Sequence, residues 1–219
     1  YGLCQNEQKE SAWSNGTRFH EEQGNWAMYF KYTKNQPKSV AFLAGQTMKA
    51  GTISVTNDAT NIYVTYSLEG LWKMSVSHLD VGKHANDLHD EPGQMGYKTT
   101  HNPLVTTYTY AVPISSVGSA DYWYITAHAE VLRCAAVTIV KTVVNDNGGD
   151  KAASDFGLKV SGTSVVSGVP LTVNPGTYVA SETPLSTYTA SAWGGNCTAE
   201  GTVTVAVGES KTCTITNDD

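Results

Sequence analysis

The chain has little charge: Asp, Glu, Lys and Arg make up only 16% of its 219 residues, with a net charge of −6. No cluster of lysines and arginines occurs, so the electrostatic footprint that nucleic-acid binding requires is missing. No apolar run approaches the roughly 20 residues needed to cross a bilayer as a helix, so no membrane span is expected in this chain. The first residues, YGLCQNEQ, carry neither a basic nor an apolar leader segment. Also missing are a G-x-S-x-G elbow, a G-x-G-x-x-G or P-loop, and a singled-out pair of opposed carboxylates. A non-catalytic protein is expected. No stretch follows a helical period, and the abundance of Thr, Ser, Val, Tyr and Gly favours strands and turns.

What is present reads as all-β: two β-sandwich domains (Ig-like or jelly-roll-like) in tandem, spanning 1–135 and 136–219. In the second, Val137–Val144 is a β-branched run followed by the turn-rich Asn145-Asp-Asn-Gly-Gly-Asp150. Further short strands are expected over 156–160, 168–173, 176–182, 188–193, 201–207 and 211–216, the spacing of a sandwich. In the first, strands are expected at 26–32, 51–56, 62–67, 71–81, 104–112 and 122–133. Between Gly82 and Pro103 a long polar loop is expected.

The four cysteines, Cys4, Cys134, Cys197 and Cys213, have no metal-type CxxC spacing. An even count in a turn-rich chain suits oxidised export and an extracellular location. Three pairings are possible; the domain division selects Cys4–Cys134 and Cys197–Cys213.

Strand parity gathers a polar set in the second domain. Val137, Ile139 and Lys141 share one face, as do Tyr178, Ala180 and Glu182, and Cys213, Ile215 and Asn217. Each triplet begins with core-type residues and ends on a polar one. A lysine desolvated beside a carboxamide and a protonated glutamate can act as a nucleophile. The bond formed would be an amide joining the first strand to the last, with ammonia released. The plainer reading is a half-exposed Lys141 in an ordinary ion pair with Glu182.

Ile139-Val-Lys141, Tyr178-Val-Ala-Ser-Glu-Thr-Pro184 and Cys213-Thr-Ile-Thr-Asn217 resemble the lysine, E-box and terminal asparagine of collagen-adhesin B-type (CnaB, prealbumin-like) domains. That resemblance covers Val137–Asp219. It implies a module of bacterial cell-surface proteins and pilins, often closed by a Lys–Asn isopeptide bond. The expected function is thus a structural protein of the prokaryotic cell surface or matrix, a filament subunit or adhesin or stalk segment. Its partners would be copies of itself in a polymer, or other surface proteins.

An alternative lies in the first domain: a carbohydrate- or calcium-binding module of a larger secreted protein. Twelve tyrosines and five tryptophans could stack on sugars, although aromatics alternating on strands mostly pack in cores. The segment His84-Ala-Asn-Asp-Leu-His-Asp-Glu91 offers oxygen donors for calcium without EF-hand spacing. His78, Asp80, His128 and Glu130 form two H-x-acid pairs, which could hold a divalent metal if their strands were neighbours. Otherwise hydrogen-bonded surface histidines are expected. Asn15-Gly-Thr17 and Asn196-Cys-Thr198 are glycosylation sequons.

Overall fold

The computed structural model describes Cys4 and residues 9–21 and 24–219. It is all-β as expected, and it divides into a unit ending at Arg133 and a unit formed by Cys134–Asp219 with Cys4.

The first unit contains β1 (Lys9–Ser14), β2 (Thr17–Arg18), β3 (Met28–Thr33), β4 (Lys38–Ala44), β5 (Met48–Asn57), β6 (Asn61–Leu68), β7 (Trp72–Gly82), β8 (Tyr97–Val105), β9 (Thr107–Pro113) and β10 (Tyr122–Arg133). All ten belong to one sheet. β10 is bordered by β3 and then β1 along one edge and by β7 along the other. Beyond β1 the order runs β4, β5, β6, β9. The sheet curls, because strands far apart in this order share one core: Tyr32 of β3, Leu79 of β7 and Val112 of β9 are all fully buried in it. Polar contacts close the curl. The Tyr66 hydroxyl donates to the His78 carbonyl at 2.6 Å, and Ser77 and Tyr110 share a hydroxyl contact at 2.8 Å.

Local chemistry sets the turns and registers. Asp58 Oδ1 accepts the amides of Thr60 and Asn61 at 2.6 and 2.7 Å, folding β5 back onto β6. Gly51 lies where an added Cβ would stand 2.0 Å from the Ser67 carbonyl oxygen, so the close approach of β5 to β6 needs a glycine.

Three expectations need correction. The long loop expected between Gly82 and Pro103 ends at residue 96. After two 3₁₀ turns, Ala85–Asp87 and Pro92–Gln94, the chain forms β8, paired with β7. Its residues are polar because most of them stay accessible, and it is cross-strand pairing that holds it. β1 and β4, not anticipated, flank β10 and β5; KESAWS and KSVAFLA open on charged and small residues that mask the alternation. His78, His101 and His128 are buried, not on the surface. A second apolar cluster, including Trp13, Ala27, Met28 and Met95, accounts for His128: it lies on the sheet face opposite the main core, with Trp13 packed on the imidazole at 4.6 Å.

The second unit contains β11 (Ala135–Val144), β12 (Lys159–Val160), β13 (Thr163–Ser164), β14 (Leu171–Val173), β15 (Gly176–Ser181), β16 (Thr189–Ala190), β17 (Gly194–Gly195), β18 (Thr202–Val205) and β19 (Ser210–Asp218). One sheet has the order β14-β11-β19-β16, with β17 also on β19; the other has β13-β12-β15-β18. Val137, Ile139 and Cys213 from the first layer meet Val160, Ala180, Val203 and Val205 from the second in a single core. The first and last strands, β11 and β19, pair in parallel.

Two disulfides are formed, Cys4–Cys134 and Cys197–Cys213. Removing the second with Cys197→Ala/Cys213→Ala opens a 16-residue loop. The expected loss is about 3 kcal/mol, read as a lower melting temperature of the double variant against the parent without reductant.

Among the described residues no helix is long and apolar enough to cross a membrane.

Candidate functional site

The site arises from the pleat of two neighbouring strands. Parallel pairing sets Ile139 beside Cys213, Lys141 beside Ile215 and Val143 beside Asn217. Lys141 and Asn217 therefore project on the same face, one pleat apart on adjacent strands. Ile139, Cys213, Ile215 and Asn217 are all at most 3% exposed. Glu182 comes from the opposite layer, immediately after β15. The parity that turns Ala180 into the core turns Glu182 the same way.

Lys141 Nζ donates to Glu182 Oε2, and the two side chains are 0% and 8% exposed. The ammonium also faces the Phe156 ring, 4.1 Å from its centroid. Phe156 is held in turn by an edge contact with Tyr188 at 5.4 Å. The Tyr188 hydroxyl donates to Asn145 Oδ1 at 2.6 Å. On the strand itself, the Lys141 amide donates to Ser167 Oγ at 2.9 Å. Burial pushes the Lys141 amine below its ordinary value, against the opposing pull of Glu182.

Two atoms stand out by what they lack. Among the described residues, Glu182 Oε1 and Asn217 Oδ1 are the buried side-chain polar atoms without a hydrogen-bond partner. Each such acceptor costs about 1–3 kcal/mol, and both belong to the lysine's immediate surroundings. The half-exposed Lys141 of the plainer reading does not occur, because the side chain is wholly enclosed. Phe156 and Ser167 were not legible as parts of this site. Phe156 reads simply as the start of a strand, and no spacing connects Ser167 to β11.

The metal-type group proposed for the first unit is only half assembled. β7 and β10 are neighbours, and His78 is directly opposite His128, with Nδ1 atoms 3.2 Å apart. The carboxylates are engaged elsewhere. Asp80 accepts the Gly96 amide (2.6 Å) and both the amide and Nδ1 of His89, while Glu130 pairs with Lys9 at 2.8 Å. The acidic cluster with ligand-like spacing among the described residues is a different one, Asp146, Asp218 and Asp219. There Asp219 already accepts the amides of Asp146 and Asn147. In the loop 84–91 considered for calcium, Asp87 accepts the His84 amide and Asp90 accepts from Asn25. Ser77 and His101 lie 2.9 Å apart, but the serine is fully buried.

A two-layer sandwich whose parallel first and last strands enclose a lysine and an asparagine, with a glutamate from the facing layer, defines a class of module. Residues 133–215 match the SpaA-type family described as "Prealbumin-like fold domain". Asn217 lies two residues past the matched segment. No curated protein matches the chain. A domain of this type points to a pilin- or surface-adhesin-type module.

Proposed function

We propose that the chain is a non-catalytic structural protein of the prokaryotic cell surface or matrix, a filament, adhesin or stalk segment that bears tension through covalent crosslinks. The single observation that carries this reading is the enclosed Lys141–Glu182 pair, with Asn217 on the lysine's own face and two acceptors left unpartnered.

The chemistry follows from that enclosure. Transfer of a proton from the Lys141 ammonium to Glu182 leaves a neutral amine and a carboxylic acid. The amine attacks Cγ of Asn217 while the acid polarises Oδ1. The Cγ–Nδ2 bond breaks, Nδ2 leaves as ammonia, and Nζ–Cγ becomes an amide. The protonated Glu182 can then donate to the amide oxygen, which gives Asn217 Oδ1 the partner it lacks. Each protein performs this once, on itself.

The bond acquires a purpose from its place in the chain. Tension applied at the two ends enters before Cys4, crosses the disulfide to Cys134 and runs along β11 to Lys141. There it crosses to Asn217 near the end of β19. Two covalent links in series shield everything between 4 and 134 and between 141 and 217.

Force spectroscopy on the full chain, with handles at both ends, tests this. The oxidised protein is expected to show no unfolding step. Reductant should release the 130-residue separation spanned by Cys4–Cys134, at most about 450 Å of extension. Lys141→Ala without reductant should release the second unit instead, about 200 Å with the Cys197–Cys213 loop still closed. An unfolding step of that size in the oxidised parent would end the load-bearing reading.

A further inference from the structure

The outer face of β3 and β10 carries a row of tyrosine rings outside the main core, met at one end by Phe19, which packs against the cluster of Trp13, Ala27, Met28 and Met95. Tyr29 and Lys31 of β3 alternate with the core residue Phe30, and Tyr122 and Tyr124 of β10 alternate with Trp123 and Ile125, so all four project away from the main core. Phe19 touches Tyr29 (4.9 Å between centroids), Tyr29 touches Tyr124 (5.9 Å), and Tyr124 touches Tyr122 (5.9 Å). Each contact is edge-to-face. Tyr122 is 38% exposed and the other three rings are partly so.

The hydroxyls set this row apart. Tyr32, Tyr63, Tyr66, Tyr97, Tyr108, Tyr110, Tyr178 and Tyr188 each place the phenolic oxygen in a hydrogen bond within the protein. Among the described residues, the tyrosines without one are Tyr29, Tyr122 and Tyr124, and all three are in the row. The Lys31 ammonium lies 3.5 Å from the Tyr122 centroid and has no carboxylate partner among the described residues. The nearby Thr17, Arg18 and Thr33 are exposed. The result is a strip with apolar ring surface and a series of open donors and acceptors along it.

We infer that this strip, formed by Phe19, Tyr29, Tyr124 and Tyr122, is a binding site for an extended pyranose polysaccharide. A pyranose presents C–H groups on its faces and hydroxyls around its rim, the pairing of surfaces that partly exposed tyrosines with free phenolic groups complement. Because successive rings meet edge-to-face with centroids 5–6 Å apart, the strip offers alternating ring faces and edges along its length in place of one flat platform or a single compact pocket. The site belongs wholly to the first unit and does not depend on the Lys141 crosslink.

Affinity electrophoresis of the full chain in gels containing hydroxyethylcellulose, laminarin, xylan or polygalacturonate tests the assignment. Retardation by at least one of these glycans is expected. Tyr29→Ala/Tyr124→Ala should weaken it at least about tenfold. Tyr29→Phe/Tyr122→Phe/Tyr124→Phe, which keeps the rings and safeguards folding, should weaken it several-fold. Tyr63→Ala, away from the strip, should leave it unchanged. The proposal is overturned if none of the four glycans retards the protein. It is equally overturned if retardation survives the tyrosine substitutions, or if only polygalacturonate acts and high salt abolishes the effect, which would indicate charge attraction alone.

Discussion

Lys141→Ala will lower the melting temperature of the second unit by about 20 °C or more, the largest effect of any single substitution considered. Two losses combine. Glu182, whose side chain is 8% exposed, is left buried without the amide oxygen to which it donates, which costs about 1–3 kcal/mol. The amide to Asn217 can no longer form either. By the loop-entropy relation used for disulfides, a crosslink closing most of the unit contributes about 4–5 kcal/mol. In a unit of this size each kcal/mol shifts the midpoint by about 4–8 °C, so even partial additivity gives the stated loss. Asn217→Ala separates the contributions, since it removes the crosslink and leaves Glu182 paired with the Lys141 ammonium. Its midpoint should fall between those of the parent and Lys141→Ala. Scanning calorimetry decides the matter: a Lys141→Ala protein that melts with the parent would show that the enclosed lysine contributes no net stability and that no crosslink is lost.

The second large effect is acid lability of the first unit. His128 is 5% exposed, and burial, reinforced by the neighbouring His78, pushes its pKa down to about 3. His78 is lowered by burial and by Lys98, against the opposing pull of Glu130, and burial lowers His101. The groups around the pair are Ser11, 2.9 Å from His128 Nε2, the Trp13 ring, and Asp80, which faces the 3₁₀ turns and is committed to His89 and Gly96. Glu130 favours a positive charge on His78 and Lys98 opposes it, and burial outweighs the pull of Glu130. The sign follows directly. Between pH 3 and 6.5 the unfolded chain binds protons that the folded His128 refuses, so stability rises with pH across that window. The contribution is complete above about 6.5 and is lost progressively as pH falls toward 3. Taken alone, His128 costs the fold about 3 kcal/mol at about pH 4.5, with His78 and His101 acting in the same direction. Chemical denaturation across this range should show the loss, and His128→Gln should flatten it. A stability profile that is level from pH 7 to 4 would contradict the buried pair.

Much of this was legible in the sequence because strand parity is a rigid rule. Val137, Ile139 and Lys141 alternate, as do Cys213, Ile215 and Asn217, and the parallel register then brings the two polar ends together. The same rule placed His128 opposite the face of Ala127 and Ala129. Parity says which face a residue occupies, but not what covers that face. The cluster of Trp13, Ala27, Met28 and Met95 draws on segments far apart in the chain, so no local pattern foretold that the histidines would be buried. Hidden for the same reason were the diversion of Asp80 to His89 and Gly96 and the packing of Phe156 over the lysine. β8 has no signature in the sequence because its polar residues are held by pairing to β7, and pairing leaves no trace in composition. The free tyrosines of the outer strip look like any others until the partners of the remaining eight are known.

One mass measurement reaches the centre of the account. After reduction, the intact chain is predicted to be lighter than its sequence by one ammonia, and digestion should yield a branched peptide joining the Lys141 and Asn217 segments. Both features should vanish in Glu182→Ala. A reduced chain of full sequence mass, with Lys141 and Asn217 recovered in separate unmodified peptides, would contradict it.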